Sequence, residues 1–369
     1  MGDNITVSKI KNKKNNHFIP YSISNKWGFI PQEKQFGEGN AYSKTNKATN
    51  YIVEPNAFAY NPARINVGSI AYQNNQFPVI VSSLYEIFKT KKNLNDKFLM
   101  NWFKTEKFTR QIQKLQEGGV RQYFFIDKMQ ESRITIPSIS EQEEISKALD
   151  QINNLINLQQ RKAKQLKLLK KAMLQDLFTD KNVPKLRFNG FDANWIQCKL
   201  EKEALLTMGQ SPSGSTYSDQ PSTYILVQGN ADLKNGWVKP RIWTTQITKL
   251  AKKGDIIITV RAPAGKVGRT NFDVVLGRGV ASIQGNDFIF YLLSKMDMNK
   301  YWKKYAAGST FESINSNDIK NTRVHVPNLP EQNRIANLFL RLDDLIRFQQ
   351  NKLNNLQKTK QFLLQNMFI

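Results

Sequence analysis

The chain holds a single cysteine, Cys198, and only two histidines, His17 and His325. One cysteine excludes an intrachain disulfide. Together the three residues cannot assemble a Cys/His zinc site. Cys198 reads as a small, semi-buried side chain. His325 lies in the alternating run RVHVPN, which suggests a strand residue rather than a catalytic base. No GxxxxGK[ST] loop is present. The segment AGKVG at 264–268 has neither the upstream glycine nor the following Ser/Thr of a phosphate cradle. No GxGxxG follows a strand, and the GRG at 277–279 reads as a turn. No apolar run approaches the roughly 18 residues that a membrane helix needs. The N-terminal MGDNITVSKIKNKKNN has charge but no apolar stretch behind it, unlike a secretory signal. These absences lead us to expect a cytoplasmic chain with no membrane partner and no catalytic or metal site of its own.

Acidic residues are scarce. Asp and Glu number 30 against 54 Lys and Arg, a net charge of +24 over 369 residues. An excess of that size repels itself and favours an acidic partner, nucleic acid first and membrane surface second. Membrane-binding helices concentrate their charge on one face, whereas Lys and Arg here are spread along the chain. The stretch Tyr60-Asn61-Pro62-Ala63 faintly resembles the Asn-Pro-Pro-aromatic signature of amino-methyltransferases, but the second proline and the aromatic are missing.

What is abundant is self-similarity. EQEEISKALDQINNLINLQQ begins at Glu141, and EQNRIANLFLRLDDLIRFQQ begins at Glu331, 190 residues later. At that offset Phe98–Phe178 aligns without a gap on Phe288–Phe368, with Gly118 on Gly308, Arg133 on Arg323 and Pro137 on Pro327. Further back, EPNAFAYNPARINVGSIAY resembles KGDIIITVRAPAGKVGRTN, which places Val67-Gly68 against Val267-Gly268. So long a period indicates a duplicated domain rather than a solenoid. The loops of the two halves diverge, as expected of related surfaces that read different ligands. The second half opens with VPKLRFNGFDANWIQCKL, and nothing like it precedes Ile5. By this reading the leader of the first half is missing, and Leu363, Leu364 and Phe368 should be under-covered.

Each copy carries a heptad seam. The first runs Ile145, Leu149, Ile152, Ile156, Gln159, Ala163, Leu166, Lys170, Met173 and Leu177. The second runs Ile335, Phe339, Leu342, Ile346, Gln349, Leu353, Leu356, Lys360, Leu363 and Met367. Gaps of three and four alternate, and the polar steps fall at matching places, which tends to fix register and partner. A second stripe, Leu155, Leu158, Leu345 and Phe348, gives each helix another side to bury. Ser140 is the expected cap of the first helix, ahead of Glu141, Glu143 and Glu144. A helix from Ser140 to Phe178 would be about 57 Å long at 1.5 Å per residue. Only TDKNV separates Phe178 from the second half, a reach of at most about 17 Å. The second helix is therefore expected to run back antiparallel, holding two globular heads apart. Surfaces entering the same groove on one face of DNA sit about 34 Å apart, a spacing such a rod could serve.

The chain resembles the specificity subunits of type I restriction–modification enzymes. The resemblance lies in IPSISEQEEISKALDQINNLINLQQRKAKQLKLLKKAMLQDLF and its second copy, in PKLRFNGFDANW and in FAYNPARINVGSIA. It covers nearly the whole chain in order, spacing and duplication. It implies an α+β fold with two mixed α/β target-recognition domains, at 1–137 and 180–327. Two long antiparallel coiled-coil helices, at 138–179 and 328–369, would separate them. It implies a bipartite double-stranded DNA target, two modification (methyltransferase) subunits docked on the helices, and restriction subunits bound to those. S-adenosylmethionine, ATP and magnesium would belong to the partners, with none bound by this chain. Base reading calls for forked donors and acceptors, Arg on guanine and Asn or Gln on adenine. The candidates are Lys44, Tyr60, Arg64, Asn66 and Arg121 in the first domain, and Gln228, Arg261, Lys266, Arg269 and Arg278 in the second. Gly68, Gly268 and Gly279 read as turns that let loops approach DNA. The alternative is a scaffold or decoy that reads no DNA and binds methyltransferase subunits through its helices.

Overall fold

The structure, a computed structural model, describes residues 1–14, 16–37, 47–118, 122–306 and 313–368. It is of mixed α/β class. The chain divides into two compact units, Met1–Gln160 with Asn351–Ile369 (unit 1) and Arg161–Gln350 (unit 2).

In unit 1 the strands are β1 (Ile5–Val7), β2 (Tyr21–Ser24), β3 (Gly28–Pro31), β4 (Tyr51–Val53), β5 (Phe58–Tyr60), β6 (Ile70–Tyr72), β7 (Val79–Val81) and β8 (Glu86–Thr90). An antiparallel sheet in the order β1-β8-β5-β6 forms its centre, and β2–β3 and β4–β7 pair separately. Successive side chains of a strand point to opposite faces. Phe58, Tyr60 and Phe88 accordingly enter one core, while Ala59 and Ile87 enter another with Val53, Val79 and Val81. Helix α1 (Gln32–Phe36) lies between β3 and β4, and α2 (Asp96–Trp102), α3 (Glu106–Leu115) and α4 (Ile126–Glu131) follow β8. Asn95 caps α2 by accepting from the amides of Lys97 and Phe98, and Thr105 caps α3 through Phe108. Their aromatic faces, Phe98, Trp102 and Phe108, pack on the first core.

The long helix α5 (Ile139–Leu177) comes next, followed in unit 2 by β9 (Ile196–Lys199), β10 (Leu205–Met208), β11 (Tyr217–Ser218), β12 (Tyr224–Val227), β13 (Leu233–Lys234), β14 (Trp237–Val238), β15 (Ile242–Thr244), β16 (Leu250–Ala251), β17 (Ile256–Thr259), β18 (Val267–Arg269), β19 (Val274–Leu276), β20 (Val280–Gln284) and β21 (Arg323–Val326). Two sheets result, in the orders β10-β20-β17-β18-β14-β13 and β11-β15-β12-β19-β16, and β21 pairs with β9. Ile256 and Ile258 face one core and Ile257 the other, the alternation seen in unit 1. Helices α6 (Asp287–Met298), α7 (Lys303–Ala306) and α8 (Ser316–Lys320) precede the second long helix, α9 (Leu329–Asn366).

Local contacts recur between the units. The strand order β1-β8-β5-β6 of unit 1 has its like in β10-β20-β17-β18 of unit 2. Phe98 meets Phe368 with ring centroids 4.9 Å apart and planes at 35°, and Phe178 meets Phe288 with the same two values. Gln142 donates to the Pro137 carbonyl at 2.9 Å while Gln332 donates to that of Pro327 at 3.0 Å. Each holds the turn that enters a long helix.

Three expectations need correction. The amide of Glu141 donates to Ser138 Oγ, not to Ser140, because the helix already begins at Ile139. Gly268 lies inside β18, where a Cβ would come within 2.9 Å of Leu233. It is therefore a packing glycine, whereas Gly68 occupies a left-handed turn at φ 83°. Phe368 is buried against Phe98 rather than under-covered, since α9 delivers its own apolar end to the unit 1 core, while Leu363 and Leu364 beside it are only half-buried, as expected.

Along α5, Ile145, Leu149, Ile156, Gln159, Ala163, Leu174 and Leu177 are buried, with Ile152 and Leu166 half-buried. Along α9, Ile335, Phe339, Leu342, Gln349 and Leu353 are buried, with Ile346 and Leu356 half-buried. The second stripe is not covered: Leu155, Leu158, Leu345 and Phe348 are exposed.

Candidate nucleic-acid interface

In unit 2 four loop segments converge, drawn together by backbone contacts that exclude side chains. A Cβ on Gly209 would stand 2.1 Å from the Gly277 carbonyl, and one on Gly279 would stand 2.1 Å from that of Gln228. Glycine is the residue for such close backbone approach. The amide of Gln210 donates to the Leu276 carbonyl, Gly277 to Val227, and Val260 to Gly279. The amide of Arg278 donates to Ser211 Oγ at 3.1 Å. Gln210, Arg261 and Arg278 are exposed and Gln228 is half-buried on these segments. Among the described residues neither Arg261 nor Arg278 forms an ion pair, which leaves both guanidinium groups free for an acidic or base-edge partner.

The buried carboxylate of Asp232 fixes the loop that carries Gln228. Asp232 Oδ2 accepts the amides of Gln228 (2.7 Å) and Gly229 (3.0 Å), and Oδ1 accepts Arg241 Nε (3.0 Å). Three charge-assisted bonds on one carboxylate make a stiff support. Gln210, Ser211, Asp232 and Arg241 were not singled out from the sequence. The NAD turn after Gly229 is the one signal that could have drawn attention to Asp232.

In unit 1, Arg64 and Asn66 are exposed on either side of buried Ile65 in a single helical turn. A Cβ on Gly68 would lie 3.7 Å from that of Asn25, so this turn adjoins the β2–β3 hairpin. The hairpin tip presents Trp27, 67% exposed, with Lys26 Nζ 4.8 Å from its ring centroid. An exposed tryptophan with an adjacent cation is a stacking surface for bases. The signal for it in the sequence is SNKWG, which carries the turn glycine of a hairpin.

Other candidates have different places. Tyr60 is fully buried in the unit 1 core, where burial and the nearby Glu86 push its phenol pKa well up. It cannot present itself to a base. Arg269 is held inside unit 2 by Asp287 (2.5 Å) and lies 4.3 Å over the Phe290 ring, so it is a packing residue. Lys266 is half-exposed and paired with Asp297 at 2.9 Å. Lys44 and Arg121 lie outside the described residues. His325 sits in β21, as its alternation suggested. Burial, with Glu203 close by, pushes the Cys198 thiol up to about 11. Among the described residues no group of His, Cys, Asp and Glu is placed to hold a metal ion, and no helix is long and apolar enough to cross a membrane.

Two α/β units with arginine-bearing loop clusters, and two long helices that contribute to both, define a binding protein. Residues 3–168 and 207–358 match the type I restriction modification DNA specificity domain. The chain belongs to that family. It is 28% identical over 72% of its length to the type I restriction enzyme MjaX specificity subunit of Methanocaldococcus jannaschii, of which the alignment covers 65%. It is 22% identical to the MjaVIII specificity subunit of the same organism, over 78% of this chain and 72% of that one. The fold matches a chain from a structure of type I R-M complex assembly (TM-score 0.65, 20% identity, all of this chain and 96% of that one). It also matches the HsdS subunit from Thermoanaerobacter tengcongensis (TM-score 0.56, 20% identity, all of this chain and 95% of that one).

Proposed function

We propose that this chain is the DNA-specificity subunit of a type I restriction–modification complex. Its two units each read one half of a bipartite double-stranded target, and it catalyses nothing itself. The observation that carries this reading, beside family membership, is the unit 2 loop cluster: two unpaired arginines and a glutamine held on a rigid, glycine-packed frame. Arg261 and Arg278 have the fork for guanine and Gln228 the amide for adenine. Arg64 and Asn66 serve the same end in unit 1, with Trp27 beside them. The units descend from one duplicated module, and α5 and α9 form an antiparallel coiled-coil spacer. At 39 residues, α5 is about 58 Å long, enough to set two half-sites a helical turn apart.

Two methyltransferase subunits dock on the helices, and restriction subunits bind to those. The partners supply S-adenosylmethionine, ATP and magnesium. The test is methylome mapping of cells that express the chain with its methyltransferase. A split adenine-methylated motif is expected, changed on one side by substitutions in one unit. A continuous motif, or none that depends on this chain, would defeat the reading. The exposed Leu155, Leu158, Leu345 and Phe348 favour a second reading, a scaffold or decoy that binds methyltransferase without reading DNA. A gel shift on random and cognate duplexes separates the two.

A further inference from the structure

A lysine that interrupts each heptad seam is neutralised in unit 2 and not in unit 1. In unit 2, Lys170 Nζ pairs with Asp343 Oδ1 at 2.5 Å and stands 5.1 Å from the centre of the Tyr291 ring. Tyr291, fully buried, donates its hydroxyl to Asp343 Oδ2 at 2.8 Å. One carboxylate thus serves an ammonium and a phenol, and the charge of Lys170 is met within the chain.

At the 190-residue offset Lys170 corresponds to Lys360, Tyr291 to Asn101, Ser294 to Lys104 and Asp343 to Asn153. The frames around them correspond too. Lys360 lies eight residues before Phe368, as Lys170 lies eight before Phe178. Asn101 follows Phe98 by three, as Tyr291 follows Phe288, and the two ring pairs share one geometry. What differs is the charge. Unit 1 exchanges the acid for an amide and adds a second lysine. Lys360 is half-buried, and burial alone lowers its ammonium pKa; it forms no ion pair among the described residues. Lys104 is exposed as a residue, yet partial burial of its amine, and next the Lys360 charge, lower its pKa as well. Its Nζ donates at 3.5 Å to Oδ1 of Asn101, which is 4% exposed. Asp150 is the acid that Lys104 feels, and it is already bound to Lys97 at 2.8 Å. Two like charges in a partly desolvated place repel each other, and an anion between them reverses that cost.

We propose that Lys104 and Lys360, with the amide of Asn101 and, by its place in the repeat, that of Asn153, form an oxyanion site in unit 1. The site takes from solution the charge that Asp343 gives Lys170 in unit 2, as a small free oxyanion of the phosphate class. The position is recessed, with Lys360 and Asn153 half-buried and Asn101 buried, which suits a small ion better than a phosphate of a stiff duplex. The ammonium groups supply charge and the asparagine amides supply neutral donors. The proposal is independent of DNA reading.

The probe is inorganic phosphate, titrated onto the full 369-residue chain at constant ionic strength and followed by phosphorus NMR and by NMR of the lysine side chains. Saturable binding that raises the ammonium pKa of Lys104 and Lys360 is expected. Asn153→Asp rebuilds the carboxylate of unit 2 and should weaken binding about tenfold or more, as should Lys360→Met. Lys104→Met, at an exposed residue whose loss leaves folding intact, should act likewise. Asn153→Asp changes a net charge of +24 by one, so loose attraction of phosphate to a basic protein would barely respond to it. Lys303→Met, at an exposed lysine of unit 2, is the control and should leave binding unaltered. No saturable binding, or equal binding by the unaltered chain, Asn153→Asp and Lys104→Met, would overturn the proposal. So would indifference to phosphate joined to weaker methyltransferase binding by Asn153→Asp, because the anion would then be a carboxylate of that partner.

Discussion

Asp232→Asn is the most discriminating change to the unit 2 loop cluster. The carboxylate side chain is 3% exposed and holds two backbone amides and the Arg241 guanidinium. Asparagine keeps the volume, but its single oxygen can serve only one side. If that oxygen stays on the amides of Gln228 and Gly229, its NH2 group confronts Arg241 Nε, donor against donor. Hydrogen bonds to a charged group contribute about 1.5–3 kcal/mol each, against about 0.5–1.5 for neutral ones. Removing one partner of a fully buried pair costs about 3–5 kcal/mol. Arg241 is 49% exposed, so water takes over part of its bonding, and the expected loss falls to about 2–3 kcal/mol. Native-state hydrogen exchange should show the Gln228 and Gly229 amides opening some 30- to 150-fold more readily, since about 1.4 kcal/mol is a factor of ten. Arg241→Met, which leaves both amide bonds in place, should cost about 1 kcal/mol, and the double variant should show coupling between the sites. In complex with methyltransferase, Asp232→Asn should relax the half of the target read by unit 2 and leave the other half intact. Unchanged exchange at Gln228 and Gly229, or equal loss of both half-sites, would show that Asp232 does not hold a reading loop.

DNA affinity of the methyltransferase-bound chain should fall by about 10³–10⁵ between 50 and 200 mM salt if 6–10 phosphates are neutralised, measured by fluorescence titration; a flat response counts against DNA binding. Arg261→Ala or Arg278→Ala should degrade one half of the methylated motif and Arg64→Ala the other. Arg269→Met, by contrast, should leave the motif intact and cost about 1–2 kcal/mol of stability in urea, because its partner Asp287 is partly solvated. The Cys198 thiol, raised to about 11, is protonated at neutral pH, and only about one part in a thousand is thiolate at pH 8. Its alkylation by iodoacetamide should therefore be slow at pH 8 and rise steeply above pH 9, and rapid labelling at pH 7 would contradict its placement.

The long helices were open to sequence reasoning because their information is local. A three-four spacing of apolar residues is visible within any two turns, and the buried positions of α5 and α9 follow it. Their entry turns were nearly as accessible, through Pro137 and Pro327. Strand order is non-local, so the shared four-strand arrangement could not be read, and aligning Val67-Gly68 on Val267-Gly268 mistook a left-handed turn for its strand neighbour. The binding candidates divide for a similar reason. Residue type says what a side chain can hydrogen-bond, not which way it points. FAY in β5 turns Tyr60 inward with Phe58, and Arg269 meets a carboxylate on a helix that follows two strands later. Trp27 and Asp232 escaped notice because their significance rests on what the fold brings beside them.

The charge excess acquires meaning once the committed cations are set apart. Arg187, Arg269, Lys170 and Lys295 are each tied to a carboxylate and mostly shielded from solvent. Their charge is spent on packing, and an acidic partner could recruit it only by breaking the fold. Arg64, Arg261 and Arg278 are exposed and unpaired among the described residues; Arg64 and Arg278 sit on turns and Arg261 on an isolated bridge to Ser313, and the backbone around each is pinned by hydrogen bonds or by glycine contact. An arginine free at its tip and fixed at its root loses little backbone entropy on binding. Under the proposed function, that favours discrimination between base edges over mere adhesion to phosphate. The same contrast gives Asp232, which touches no ligand in the proposed function, its part: it keeps the root of the Gln228 loop still.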